Sequence, residues 1–147
     1  MKIGILGQGY VGSAIKIGFQ KKYKKLNTFD KYKDSSSTVS SLEELTKSSN
    51  IIFICLPTPM KENGECDTGI VEKEIIKIDQ YSNESKIIVI KSTIPPGTTK
   101  KIDAKNKNID IVFNPEFLTE KNFIEDFKKQ NRIVLGGNEK SVQVIEK

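Results

Sequence analysis

Short, almost uninterrupted apolar runs alternate along this chain with longer polar stretches of helical character. The runs lie near Ile3–Leu6, Leu26–Phe29, Ile51–Leu56, Ile87–Ile90, Ile109–Phe113 and Ile133–Leu135. A strand that is apolar at successive positions must be covered on both faces, whereas a hairpin sheet with one wet face alternates apolar and polar residues. The pattern therefore predicts parallel strands with helices on either side, connected as βαβ units. Helices are expected over Val11–Lys22, Leu42–Lys47, Val71–Gln80 and Thr98–Lys105, with shorter ones at Phe123–Phe127 and after Asn138. Ser41 followed by Glu44 has the capping-box spacing that opens a helix. Residues 31–40 are the least patterned stretch, with room for one very short strand at Thr38-Val39. A chain of 147 residues without a linker-like segment predicts one α/β domain built on a doubly wound sheet. That length is enough to bury roughly 70% of the surface exposed by the unfolded chain.

The first chemical signal stands directly after the first run. Gly7-Gln8-Gly9-Tyr10-Val11-Gly12 joins that strand to the first helix. In this context Gly7 allows a tight turn, Gly9 lets backbone approach a pyrophosphate, and Gly12 lets the helix pack close to the strand. The helix N-terminus attracts the phosphate charge. Asp30 ends the second run, 21 residues after Gly9, where a carboxylate can accept hydrogen bonds from both hydroxyls of an adenosine ribose. The pair of signals predicts a Rossmann-type site for a dinucleotide. A carboxylate there repels a 2′-phosphate and favours NAD over NADP, a preference that Lys31 next door would soften. Taken singly, the glycines also suit a plain turn, and an aspartate also suits a strand end.

Three further segments follow strands. Cys55-Leu56-Pro57-Thr58-Pro59 ends a ladder by removing backbone donors, and Thr58 can offer its hydroxyl to a cofactor. In a doubly wound sheet the crevice lies between the ends of strands one and four, so this turn is expected to face the dinucleotide across from the glycines. Lys91-Ser92-Thr93-Ile94-Pro95-Pro96-Gly97-Thr98-Thr99 ends another strand in two hydroxyls and a Pro-Pro-Gly turn, although these hydroxyls also suit helix caps. Asn114-Pro115-Glu116-Phe117-Leu118-Thr119-Glu120 places two carboxylates four residues apart. They are expected to share one helical face beside the nicotinamide end, or to be surface acids at a helix start, favoured by the macrodipole.

Composition removes other classes. The chain has no histidine, which excludes Ser-His and Cys-His catalysis and any imidazole zinc site, so no metal is expected. Arg132 is the only arginine, and the lysine runs Lys21-Lys22-Tyr23-Lys24-Lys25 and Lys128-Lys129 are separated by acidic and neutral segments. They predict solvated faces and no nucleic-acid partner. No apolar run approaches the ~18 residues of a membrane span, and the first run is too short and too soon broken for a secretory signal. Two cysteines outside any paired framework suit a reducing, cytoplasmic setting.

Taken in order, the four segments resemble a known family. Gly7-Gln8-Gly9-Tyr10-Val11-Gly12, Pro57-Thr58-Pro59 with Gly64 and Asp67, Ser92-Thr93-Ile94-Pro95-Pro96-Gly97-Thr98, and Asn114-Pro115-Glu116-Phe117-Leu118 with Arg132-Ile133-Val134 are similar to the NAD-domain motifs of the nucleotide-sugar dehydrogenases. These include UDP-glucose 6-dehydrogenases and the UDP-mannosaminuronate enzymes. The resemblance implies oxidation of a sugar CH2OH to a carboxylate by two hydride transfers to NAD, through a thioester on an enzyme cysteine. It places Gly7, Gly9, Tyr10, Val11, Gly12, Asp30, Lys31, Pro57, Thr58 and Thr93 around the cofactor. Thr93 would also position a water near the reacting carbon, Glu120 would be the general base of thioester hydrolysis, and Glu116, Phe117 and Leu118 would lie along a UDP-sugar.

The departures are as informative. The family's nucleophilic cysteine, with its lysine and asparagine, belongs to a region beyond this domain, and neither cysteine here matches it. Cys55 falls in an expected buried strand, and Cys66 lies in a loop beside Asp67 without a basic neighbour to activate it. The stretch between Asp30 and Ile51 is shorter than the family's, as though a strand and helix were trimmed. Residues 1–147 are thus read as an NAD-binding domain without its substrate and catalytic-cysteine domain, either a fragment or a natural short chain completed by a second polypeptide. The alternatives are a stand-alone NAD-binding or regulatory module, and a minimal dehydrogenase for another hydroxyl substrate that builds its site with a homodimer partner.

Overall fold

The computed structural model describes residues 1–103 and 106–146. In chain order the elements are β1 (Ile3–Leu6), α1 (Tyr10–Phe19), β2 (Leu26–Phe29), a 3-10 turn (Asp34–Ser36), α2 (Leu42–Lys47), β3 (Ile51–Ile54), α3 (Gly69–Tyr81), β4 (Lys86–Ile90), α4 (Thr98–Asp103), β5 (Ile109–Phe113), α5 (Phe123–Lys129), β6 (Gly136–Gly137) and α6 (Glu139–Ile145). The six strands among the described residues form one sheet in the order β2-β1-β3-β4-β5-β6. All pairs from β2 to β5 are parallel, with Ile3 opposite both Leu26 and Ile51. The chain thus winds outward from β1 to β2, then crosses back over β1 and winds the other way from β3.

Successive side chains of a strand point to opposite faces, and each face has its own helices. Ile3, Ile5, Phe53 and Val89 pack with Ile15 of α1, with Phe127 and Ile145 from α5 and α6 against that cluster. Leu6, Ile52, Ile54, Ile88 and Ile90 pack with Leu45, Ile75, Ile78 and Ile102 from α2, α3 and α4. The continuous apolar runs are explained by this double covering. Helix α2 begins as its capping signal predicts, with Ser41 Oγ accepting the Glu44 amide at 3.1 Å and Glu44 Oε2 accepting the Ser40 amide at 2.8 Å.

Two expected strands are corrected. Thr38-Val39 forms none: the Thr28 amide is taken at 2.8 Å by the Thr38 side-chain oxygen instead of a carbonyl, so the ladder stops there. Ile133–Leu135 is not a strand either. The Val134 carbonyl accepts from Asn114 Nδ2 at 2.9 Å, and pairing begins only at Gly136-Gly137. That strand is antiparallel to β5, so the sheet is not wholly parallel as expected. It lies so close that a Cβ on Gly137 would sit 2.8 Å from the Ile111 carbonyl oxygen. Expected helix Val11–Lys22 ends earlier, at Phe19, and Thr98–Lys105 is helical to Asp103, while Ala104 and Lys105 lie outside the described residues, as does Lys147 at the end of the expected domain.

Because Ile88 is fully buried between sheet and helices, Ile88→Ala is expected to lower stability by about 2–5 kcal/mol, through lost transfer energy and a residual cavity. Denaturant unfolding followed by circular dichroism checks this, and a loss below about 1 kcal/mol would mean that this face is loosely packed.

Candidate functional site

The reversal of winding direction falls between β1 and β3, and the segments singled out by sequence converge on the C-terminal ends of these strands. The expected position, between strands one and four, shifts by one because only β2 lies outside β1. Gly7 leaves β1 with φ of +91°, a left-handed conformation natural to glycine, and its Cβ would run into the Cys55 carbonyl oxygen. Gly12 lies in the first turn of α1, where any Cβ would run into the Gly7 carbonyl oxygen. Gly9 is different, since a Cβ there would meet nothing within 4 Å. It is the N-cap of α1, no side chain caps the helix, and its first turn carries no acid. The amides of Tyr10, Val11 and Gly12, in the first turn, therefore have no carbonyl partner within the helix.

Asp30 is bound to this loop. Its Oδ2 accepts the Gln8 amide at 2.6 Å and its Oδ1 the Tyr32 amide at 2.9 Å. Lys33 Nζ reaches over to the Gln8 carbonyl at 3.1 Å. The Lys31 ammonium instead stands 5.6 Å from the centre of the Tyr32 ring. Tyr10 turns its ring edge-on to Phe123 at 5.5 Å, and Val11 packs against the α1 side of the core.

On the other side of the switch point, Ser92 Oγ accepts the Leu56 amide at 3.0 Å and donates to the Leu56 carbonyl at 2.7 Å. Ser92 is therefore no helix cap but a tie between β4 and the turn after β3, which carries exposed Pro57 and half-buried Thr58. Thr93 is exposed, and its carbonyl lies 3.6 Å from Cys66 Sγ. A small hairpin, with Met60 bridged to Cys66, brings this thiol back over the crevice.

The two glutamates do not share a helical face. Residues 114–120 are extended or turning, and α5 starts only at Phe123. Asp126 draws Thr119 toward that helix, accepting its amide at 2.8 Å and its hydroxyl at 2.6 Å, bonds that hold the Asp126 carboxyl below its usual range. Glu120 is exposed in the intervening turn, whereas the Glu116 side chain is only 7% exposed and lies 2.8 Å from Lys91 Nζ. Neither of the surface-acid and shared-face expectations describes Glu116. Phe117 lies under Arg132, 4.7 Å from its guanidinium carbon, and Leu118 is half-buried. Sequence reasoning missed Lys91, Gln8, Lys33 and Gln130; the available signal for Lys91 was a lysine continuing an otherwise buried strand.

The chain matches, over residues 28–147, the NAD binding domain of the UDP-glucose/GDP-mannose dehydrogenase family. It belongs to that family. UDP-glucose 6-dehydrogenase of Rickettsia bellii is 33% identical to it, over 99% of this chain and 41% of that enzyme. Among solved structures, a UDP-glucose dehydrogenase from Pyrobaculum islandicum superimposes with a TM-score of 0.87 at 26% identity, over 98% of this chain and 42% of that one. GDP-mannose dehydrogenase from Pseudomonas aeruginosa shares the fold with a TM-score of 0.85 at 23% identity, over 99% of this chain and 43% of that one. The chain spans less than half the length of these relatives. It is the family's NAD-binding domain, and the glycine turn, open helix N-terminus and tethered Asp30 fit that cofactor. Among the described residues no helix is long and apolar enough to cross a membrane.

Cys55 lies beneath the glycine turn with its sulfur enclosed although part of the residue is exposed. Burial pushes its thiol up to about 12, with Lys91 pulling it down and Glu116 pushing it up. Unfolded chain ionises this thiol near 9.0 while folded chain keeps the proton, so stability is present below 9.0 and falls as pH rises toward about 12. The slope expected is at most about 1.4 kcal/mol per pH unit. Denaturant titrations at stepped alkaline pH are expected to show this fall in the parent and less of it in Cys55→Ala; an equal fall in both would remove Cys55 as its source.

Proposed function

We propose that residues 1–147 serve as the NAD-holding half of a nucleotide-sugar dehydrogenase of the UDP-glucose 6-dehydrogenase type. One observation carries the reading: the uncapped N-terminus of α1 opens onto free space at Gly9, while Asp30 is hydrogen-bonded to the same loop. Backbone amides there suit a pyrophosphate, and the remaining lone pairs of Asp30 suit the adenosine ribose. Lys31 is close enough in sequence to moderate the exclusion of a 2′-phosphate without contacting Asp30. Thr58 and Thr93, beyond β3 and β4, are assigned to the nicotinamide side with Pro57. When bound, NAD supplies the hydride acceptor.

The rest of the reading concerns the chain's own residues. Glu116, Phe117 and Leu118 are assigned to the wall along a UDP-sugar, Thr93 to holding a water, and Glu120 to accepting its proton. Glu120 is exposed in this chain, so its work as a base depends on a covering polypeptide that shields it. That polypeptide is also the proposed source of the nucleophilic thiol. Unpaired thiols suit a cytoplasmic setting. A second reading, an NAD-binding module without catalysis, is favoured by the state of the two cysteines: Cys55 is held protonated, and Cys66 meets only backbone carbonyls among its hydrogen-bond partners described here.

Calorimetric titration is expected to show NAD and NADH binding that weakens about tenfold or more in Asp30→Ala, because two ribose hydrogen bonds to a charged acceptor are lost. These residues alone are expected to show no oxidation of UDP-glucose. Absence of binding in the unmutated chain would sink the cofactor-site reading, and enzymatic turnover would sink the requirement for a completing polypeptide.

A further inference from the structure

Lys91 follows β4 with a side chain only 5% exposed. Its Nζ lies 2.8 Å from Glu116 Oε2 and donates to Asn114 Oδ1 at 2.9 Å. Glu116 Oε1 in turn accepts from Gln130 Nε2 at 2.6 Å and from the Phe117 amide at 2.9 Å. Asn114 Nδ2 donates to the Val134 carbonyl. A buried ammonium–carboxylate pair is a weak source of net stability, because desolvation offsets much of its attraction. Its geometry does something else here. Just beyond the end of β4, Ser92 ties the chain to the turn after β3 while Lys91 ties it to the segment after β5. The alignment of Oε2 is itself incomplete: among the described residues it is the one buried side-chain oxygen without a hydrogen-bond partner of good geometry, although the Lys91 charge is beside it.

Place this network on the sheet. Asp30 at the end of β2 and the glycine turn at the end of β1 mark the adenosine and pyrophosphate. Strands spaced about 4.8 Å apart put the end of β4 about 10 Å farther along, within reach of the second nucleotide. We propose that Lys91 is a positioning residue for the nicotinamide half of the bound dinucleotide, acting through Glu116 and Asn114. The proposal rests on the dinucleotide reading above. Lys91 itself need not touch the ligand; it holds the segment after β5 at the height of Thr93, so that one rigid wall meets the nicotinamide side.

The test compares NADH with ADP-ribose by calorimetry. The two carry the same pyrophosphate and adenosine and differ in the nicotinamide, so their affinity ratio reports that half alone. In the parent, NADH is expected to bind about tenfold more tightly than ADP-ribose. Lys91→Met leaves a buried carboxylate without its counter-charge and lowers Tm, whereas the double variant Lys91→Met/Glu116→Leu removes the stranded charge and recovers part of the loss, with Asn114 and Gln130 still deprived of these partners. Both variants, measured below their own Tm, are expected to bind ADP-ribose like the parent while the ratio falls to about one. A parental ratio in both overturns the proposal, as does an equal loss for both ligands, which would make the pair structural only. A ratio kept in Lys91→Met but lost in the double variant assigns the effect to Glu116 and overturns the role of Lys91. If the parent binds neither ligand, the dinucleotide reading fails and the proposal falls with it, an outcome distinct from parental ADP-ribose binding with an unchanged ratio.

Discussion

Strand β1 has neither a free edge nor a free face, and the rest of the domain is arranged around that enclosure. It pairs with β2 on one side and β3 on the other, and all four of its residues are buried. Every backbone donor and acceptor along it must be satisfied by its neighbours, since water does not reach them. The chain can present free backbone amides only where it leaves the strand, at the glycine turn. There the packing demand is severe: Gly7 presses on the Cys55 carbonyl and Gly12 on the Gly7 carbonyl, while Gly9 alone faces open space. The close contacts and the opening are two consequences of one turn.

From this turn, polar bonds run outward across the strand ends in both directions. Toward β2, Asp30 holds the Gln8 amide, so the acid expected at the ribose also helps to shape the loop expected at the phosphates. Toward β4 and β5, the adjacent side chains of Ser92 and Lys91 bind opposite neighbours. In a low-dielectric interior such bonds specify position more than they add net stability, because each partner has given up water. The raised Cys55 thiol belongs to the same region: burial dominates, and the opposing charges of Lys91 and Glu116 largely face each other across the pair.

Much of this is legible in the amino-acid sequence. Strands β1, β2 and β5 fall where the short apolar-rich runs predict them; in β2 the buried Asn27 and Thr28 interrupt the run but are satisfied by hydrogen bonds. The glycine turn and Asp30 were readable because a tight turn and a carboxylate at a strand end need particular residue types at particular spacings. Glu116 and Glu120 were not separable by sequence. Both are acids four residues apart, and what buries one and exposes the other is an ammonium 25 positions before Glu116 in the chain. Strand β6 was misplaced because apolar Ile133 and Val134 look like a strand, whereas pairing with β5 begins at Gly136 and the approach at Gly137 leaves no room for a side chain.

By itself the sequence determined the class of fold, the dinucleotide turn and its aspartate, and membership of a family whose motifs it carries in order. These are local properties, set by residue type and spacing within a few turns of chain. Tertiary structure alone decided that the winding reverses beside β1 after a single outer strand, that the last strand runs antiparallel, and that Lys91, Glu116, Asn114 and Gln130 meet in one buried network. Those outcomes depend on contacts between residues distant in sequence, whose charges and hydrogen bonds acquire partners only when the sheet brings the strand ends side by side.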